Sequence, residues 1–279
     1  MNIGVVGLGY VGTAVQMGLE STYISVYTYD IQQECTEPDI ASLVHKSEII
    51  FICVPTPMNI DGTCNTDIVE SVLRDISNVE TAHPPICVLK STVPPGTTDI
   101  LAKQFPQITI CFNPEFLTEK NYVNDFMAQV NVIIGHTGNR DAITPLMELY
   151  YERFERAQVW TPAAKEAEMI KYVANTLLST KVAYLNEIYQ ICQKVDIEYD
   201  NIIKILGQDP RLGTTHWTVP GHDGHFGFGG TCFPKDLNAL IQYGEQNGQP
   251  TPLLKAVWEK NLAVRPERDW EHNKGRSVV

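Results

Sequence analysis

Residues 226–236 read Phe-Gly-Phe-Gly-Gly-Thr-Cys-Phe-Pro-Lys-Asp, a stretch whose residue types can do chemistry. Proline belongs in the first turn of a helix, so Pro234 predicts a helix opening here, and apolar periodicity resumes at Leu237. Cys232 then stands at or just before a helix N-terminus. The helix dipole and unpaired backbone N–H groups there favour an anion, which for a cysteine is the thiolate. Gly227, Gly229 and Gly230 carry no side chains, which predicts a ligand close to the backbone. A second reading stays open on local sequence alone. Most free cysteines are small buried core residues, and Cys232 fits that description too.

Lys171 and Asn175 form a second candidate group. They stand four apart, on one face of a helical run over residues 163–194 that no glycine or proline interrupts. A cation and an amide so placed suit oxyanion stabilisation or orientation of a hydroxyl. A lysine on a solvated face is the other reading. A helix of that length spans about 45 Å, more than one small domain needs, which predicts packing against a partner subunit.

The elements that must position these groups begin at the N-terminus. Residues 3–6 read as a buried strand, Gly7-Leu8-Gly9-Tyr10-Val11-Gly12 follows at once, and 13–19 reads as a helix. Between a strand and a helix, this glycine pattern is a dinucleotide fingerprint. The first glycine makes the turn, the second admits the pyrophosphate and the third lets helix and strand pack. A second strand, 24–29, ends in Asp30, placed to bind the adenosine ribose diol. Ile31-Gln32-Gln33 offers no arginine for a 2′-phosphate, so the cofactor reads as NAD. Asp30 as a plain turn cap is the alternative.

Strands at 48–54, 85–90, 108–112 and 130–135 alternate with helices at 41–46, 66–79 and 140–154, and 157–160 reads as a last strand. This alternation predicts an α/β fold with a Rossmann-like, doubly wound parallel sheet. Val54-Pro55-Thr56 lies at a strand's C-terminal end, where such sheets bind ligands, and Thr92, Glu115 and Glu119 gather after later strands. Each of these three also suits a simple cap or turn. The expected division is a dinucleotide-binding domain over 1–161 and an all-helical domain over 162–279 that begins with the long connecting helix.

Composition bounds the function. A 279-residue chain with 43% hydrophobic residues can build two domains, and a net charge of -12 without a basic stripe argues against nucleic acid and anionic membranes. No apolar run is long enough to span a membrane. Seven scattered cysteines without a CxxC pair predict reduced thiols, a cytoplasmic location and no zinc site.

Several motifs together resemble the UDP-glucose/GDP-mannose dehydrogenase family. They are Gly7–Gly12, Val54-Pro55-Thr56-Pro57, Lys90-Ser91-Thr92-Val93-Pro94, Asn113-Pro114-Glu115-Phe116-Leu117, Lys171 with Asn175, Asp209-Pro210-Arg211-Leu212-Gly213, and Gly227–Asp236. The last is highly specific; the first alone means little. The resemblance implies oxidation of a sugar C6 alcohol to a carboxylate with two NAD. Covalent attachment would retain the aldehyde between the two steps. Cys232 matches the family nucleophile. Lys171 and Asn175 match groups that stabilise the oxyanion and position the substrate. Asp236 and Thr92 match residues holding a catalytic water; Glu115 and Glu119 match carboxylates assigned to acid/base work. The resemblance places Gly7, Gly9, Tyr10, Val11, Gly12, Asp30, Val54, Pro55, Thr56 and Thr92 at the cofactor. It places Phe116, Leu117, Lys171, Asn175, Arg211, Phe228, Gly229 and Gly230 at the nucleotide sugar. Arg211 matches an arginine that reaches the neighbouring subunit's substrate, which implies a homodimer built on the long helix.

Two features depart from the family. The region between Arg211 and Gly227, which contains residues 217–225, is longer than in some members, and it should reshape the substrate loop. Family members also usually carry a third domain, which would begin about where this chain ends, in a natural short form or a truncated one. UDP-glucose is the first expectation for substrate, with GDP-mannose and N-acetylated UDP-hexosamines after it. Two other readings compete. A two-domain β-hydroxyacid dehydrogenase would make one hydride transfer and need no cysteine. A non-catalytic NAD-binding remnant would make none.

Overall fold

Short β-branched runs make the sheet, and their alternation shows why it is covered on both sides. Ile3, Val5, Ile49, Phe51 and Val88 face one hydrophobic cluster, while Val6, Ile50, Ile52, Cys87 and Leu89 face another. Period-two side chains that are apolar on both faces belong to a parallel sheet sandwiched by helices. A computed structural model describes residues 1–279 and divides into two units. The first comprises Met1–Thr56 and Asn65–Lys171, the second Pro57–Cys64 and Tyr172–Val279.

The first unit runs β1 (Asn2–Val6), α1 (Tyr10–Leu19), β2 (Ser25–Tyr29), α2 (Ile40–Lys46), β3 (Ile49–Ile52), α3 (Asp67–Ser77), β4 (Ile86–Leu89), α4 (Thr97–Gln104), β5 (Thr109–Phe112), α5 (Tyr122–Met127), β6 (Asn131–Ile133), α6 (Thr144–Arg153) and β7 (Gln158–Trp160). Five parallel strands stand in the order β2-β1-β3-β4-β5. This is a Rossmann-like, doubly wound sheet. The chain reverses direction between β1 and β3, a switch point where such sheets bind ligands. The strands expected at 130–135 and 157–160 form a separate parallel pair, β6-β7. It is tied to the sheet by an antiparallel bridge between Phe112 and Gly135.

α7 (Ala164–Lys194) is one continuous helix of 31 residues whose first turns belong to the first unit and whose remainder belongs to the second. The second unit continues with α8 (Tyr199–Leu206), α9 (Phe233–Gln246) and α10 (Pro252–Val264). Ala183, Phe228, Leu237, Ile241 and Val257 form one of its cores. Leu185, Cys192, Tyr199, Trp217 and Val219 form another, the last two from the 217–225 segment. The last residues pair with the 57–64 segment: Met58 N donates to Ser277 O at 2.8 Å and Val279 N to Met58 O at 3.1 Å. No helix is long and apolar enough to cross a membrane.

Candidate active site

The three fingerprint glycines do three different things. Gly7 has φ +90, and a Cβ there would meet Cys53 O at 2.9 Å. At Gly12 a Cβ would fall 1.8 Å from Gly7 O, so only glycine lets α1 pack on its own loop. Around Gly9, the N-cap of α1, a Cβ would meet nothing within 4 Å. That open side, at a helix N-terminus, fits a pyrophosphate. Asp30 braces the cradle: Oδ2 accepts from Leu8 N at 2.6 Å, and Oδ1 accepts from Gln32 N and Gln33 N. It therefore caps a turn and reaches the glycine loop at once. Tyr10 is partly exposed, its ring 5.3 Å from that of Tyr122, and Val11 follows it in the first turn of α1.

The loops after β3 and β4 are latched together. Thr56 Oγ1 donates to Thr92 O at 2.8 Å, and Ser91 Oγ donates to Val54 O at 2.6 Å, with Pro55 between. The turn after Thr92 is held from α7. The buried Glu168 accepts from Gly96 N, Thr98 N and Thr98 Oγ1, which caps α4 from a distant helix. Burial pushes its carboxyl up to about 7 against those three donors.

After β5, Glu115 meets Lys171. Lys171 Nζ lies 2.9 Å from Glu115 Oε1 and donates to Glu115 O at 2.5 Å, with side chains only 4% and 9% exposed. Lys171 is thus no solvated surface lysine. Glu115 Oε2 accepts from Leu117 N at 2.6 Å. Burial pushes the Glu115 carboxyl up, but the Lys171 ammonium, the Leu117 amide and Lys90 outweigh it and hold it below its ordinary value. Glu119 lies at the exposed end of the same loop. Phe116, whose ring is 5.3 Å from Lys171 Nζ, and Leu117 line a cavity of about 860 Å³ with Lys90, Glu115, Trp160 and Ile170.

Lys90 was not among the sequence candidates. It is buried, donates to Asn113 Oδ1 at 2.9 Å, and burial brings its ammonium down to about 8. Tyr150 OH donates to the same Asn113 oxygen at 2.5 Å. The available signal was a lysine ending an otherwise apolar strand run, Ile86-Cys87-Val88-Leu89.

In the second unit, Cys232 is the N-cap of α9, partly buried, with Sγ 3.6 Å from Thr231 Oγ1. Asp236 N donates to Cys232 O at 2.9 Å. The Asp236 carboxylate, 1% exposed, accepts from Asn175 Nδ2 at 2.6 Å and from Lys235 Nζ at 2.5 Å. Burial pushes the Lys235 ammonium down, but the Asp236 carboxylate outweighs that and raises it. Lys235 is thus a cation held by Asp236, one helical turn after Cys232, and it was not among the sequence candidates. A helix N-terminus favours a thiolate nucleophile.

Phe228 is buried in the core, and Asn261 takes both its backbone N–H and its C=O. A Cβ at Gly229 would meet Asp269 Oδ1 at 2.2 Å and Arg265 Nη2 at 2.4 Å, and one at Gly227 would meet Asn261 Oδ1 at 2.4 Å. These two glycines make room for the protein's own side chains. Only Gly230, φ +73, has an open Cβ direction. Arg211 is 85% exposed on its side chain and pairs with Asp209 in its own loop.

A parallel sheet with a glycine loop at its switch point and a carboxylate after β2 defines a dinucleotide-binding α/β protein. The chain matches the UDP-glucose/GDP-mannose dehydrogenase family over both its NAD binding domain, residues 35–155, and its central domain, residues 165–263. It belongs to that family, and NAD is its cofactor. UDP-glucose 6-dehydrogenase YwqF of Bacillus subtilis (strain 168) is 31% identical over 298 residues, covering 94% of this chain and 66% of that protein. UDP-glucose 6-dehydrogenase TuaD of the same organism is 34% identical over 81% of this chain and 49% of its own length. A UDP-glucose dehydrogenase structure from the archaeon Pyrobaculum islandicum superposes with a TM-score of 0.84 at 28% identity, over 94% of this chain and 68% of that one. The chain thus spans about half to two thirds of the relatives' length.

Proposed function

We propose that the protein oxidises the C6 alcohol of a nucleotide sugar, UDP-glucose first among candidates, to the carboxylate. Residues 1–161 would bind NAD and 162–279 the sugar. The observation that carries this reading is Cys232 at the N-cap of α9, one turn before the buried Asp236 carboxylate that Asn175 and Lys235 hold. NAD, when bound, supplies a hydride acceptor for each oxidation. The alcohol would lose its hydroxyl proton to a base and a hydride from C6 to that acceptor, and the Cys232 thiolate adds to the carbon of the resulting aldehyde. The thiohemiacetal is oxidised to a thioester, and water releases the carboxylate and the thiol. The sum is one alcohol, two NAD and one water to one carboxylate, two NADH and three protons. Lys171 and Asn175 stabilise the oxyanion, and Thr92 and Asp236 hold the water. Glu115, held ionised by Lys171, is the base for hydrolysis, and Glu119 is a second acid/base carboxylate.

The test is a panel of UDP-glucose, GDP-mannose and N-acetylated UDP-hexosamines with NAD, following NADH absorbance and product mass. Two NADH per sugar acid is the expected result. One NADH per substrate would instead favour a single-step hydroxyacid dehydrogenase, and NAD binding without turnover a non-catalytic remnant.

We also propose a homodimer through α7, with Arg211 serving the neighbouring site. Ile170, Leu177, Tyr184 and Ile191 recur every seven residues, and all four are exposed, as is Val173 between them. Such a seam suits helix packing. Light scattering should give twice the 31.3 kDa chain mass, and Leu177→Glu should return the monomer. A monomeric unsubstituted chain at micromolar concentration would sink this reading.

A further inference from the structure

The cysteine loop is built against α10 and the residues that follow it. Arg265 ends this helix and is 3% exposed, yet it is not a surface arginine turned inward by chance. Its Nη2 lies 2.8 Å from Asp223 Oδ2, in the 217–225 segment. Its Nε donates to Asp269 Oδ1 at 2.8 Å. Asp269 in turn uses its other oxygen, Oδ2, to accept from Gly230 N at 2.8 Å. One helical turn earlier, the fully buried Asn261 accepts from Phe228 N at 2.7 Å and donates to Phe228 O at 2.9 Å. Asn186, from α7, accepts from Gly227 N at 3.0 Å. The backbone N–H groups of Gly227, Phe228 and Gly230 are therefore all fixed by buried or half-buried side chains from elsewhere in the second unit.

This arrangement has a direction. Gly229 has no Cβ because the Arg265–Asp269 pair lies there. Gly230 turns with φ +73, and Cys232 follows two residues later as the N-cap of α9. A buried guanidinium is costly unless both its charge and its N–H groups are met, and two carboxylates meet them here. Such a doubly anchored fork is stiff, and reacting groups tolerate little displacement. The same guanidinium joins the 217–225 segment, through Asp223, to the loop that carries the thiol.

We propose that Arg265, acting with Asp269, is a positioning residue for Cys232: the pair clamps the Gly229–Gly230 turn and so sets where the thiol stands at the start of α9. This rests on Cys232 being the nucleophile. The test uses the full chain with Arg265→Gln, Arg265→Lys and Asp269→Asn. Alkylation of Cys232 by iodoacetamide is followed on its peptide by mass, and NAD affinity and melting temperature are measured alongside. In Arg265→Gln, alkylation at pH 7.5 should slow about tenfold and kcat should fall about a hundredfold, while NAD affinity stays within about twofold. Arg265→Lys should regain part of both, since one ammonium reaches one carboxylate where the fork reached two. Asp269→Asn, which keeps the shape, should lie between. A variant that only melts earlier, with alkylation and kcat unchanged below its transition, overturns the proposal. If Arg265→Gln does not fold, Asp269→Asn decides. Alkylation needs no turnover, so it is read even if the assigned reaction is wrong. Full activity in Cys232→Ser would sink that assignment alone.

Discussion

Cys232→Ser will bind NAD as the unsubstituted chain does and lose nucleotide-sugar turnover by at least about a thousandfold. The first half follows from where the groups lie. The glycine loop, Asp30 and the Thr56–Thr92 latch belong to the first unit, and Cys232 belongs to the second. The second half follows from acidity. A serine hydroxyl at the N-cap of α9 meets the same helix dipole, but it is hardly ionised at neutral pH. Without a thiolate the aldehyde is not captured as a covalent adduct, so two NADH per sugar should no longer form and no thioester should be seen on the Cys232 peptide. Residual activity above about a tenth of the original, still with two NADH per sugar, would mean that Cys232 is a core residue after all.

What the sequence made legible was local. Gly7, Gly9 and Gly12 sit between one strand and one helix, so their roles follow from neighbours a few residues away. Pro234 marked the start of α9 and so placed Cys232 within one residue of its observed position. The uninterrupted run from 163 to 194 became α7. What stayed hidden was set by distant partners. α4 has an N-cap glycine with no side chain to cap it; its cap is Glu168, more than seventy residues on in the chain. α5 is only six residues long, too short for periodicity to declare it. Lys171 looked like any helix lysine until the loop from β5 folded Glu115 over it. At Gly227 and Gly229 the side chains of Asn261, Arg265 and Asp269, some thirty to forty residues away, occupy the space a Cβ would take, and they leave no local trace in the sequence.

The charge of the chain bears on this division. At -12 overall, it offers an anionic substrate no general attraction, so its useful cations must be few and fixed. Lys90, Lys171 and Lys235 meet that description. Each is buried or nearly so, and each is held by a named oxygen, of Asn113, Glu115 and Asp236 respectively.

Lys171→Met should therefore be the most damaging change in the first unit. It removes the ammonium but leaves Glu115 in the same dry setting, 9% exposed on its side chain. Breaking a buried pair from one side costs about 3–5 kcal/mol, because the charge left behind has no partner. The pH dependence should change sign. In the unsubstituted chain the Glu115 carboxyl is depressed, so its contribution to stability is present above the unfolded pKa of about 4.3 and fades as pH falls through the folded value. With methionine at 171, burial becomes the main influence and the carboxyl rises above its ordinary range. The contribution then becomes a penalty that grows as pH rises, so the variant should melt higher at pH 5 than at pH 8. Turnover should fall about a hundredfold to a thousandfold, the loss expected when one fixed donor to a developing oxyanion is removed. Adding Glu115→Gln should restore much of the melting temperature, since no unpaired charge remains, but none of the turnover. Equal melting of Lys171→Met at both pH values would show that the pair is not the electrostatic unit its 2.9 Å contact describes.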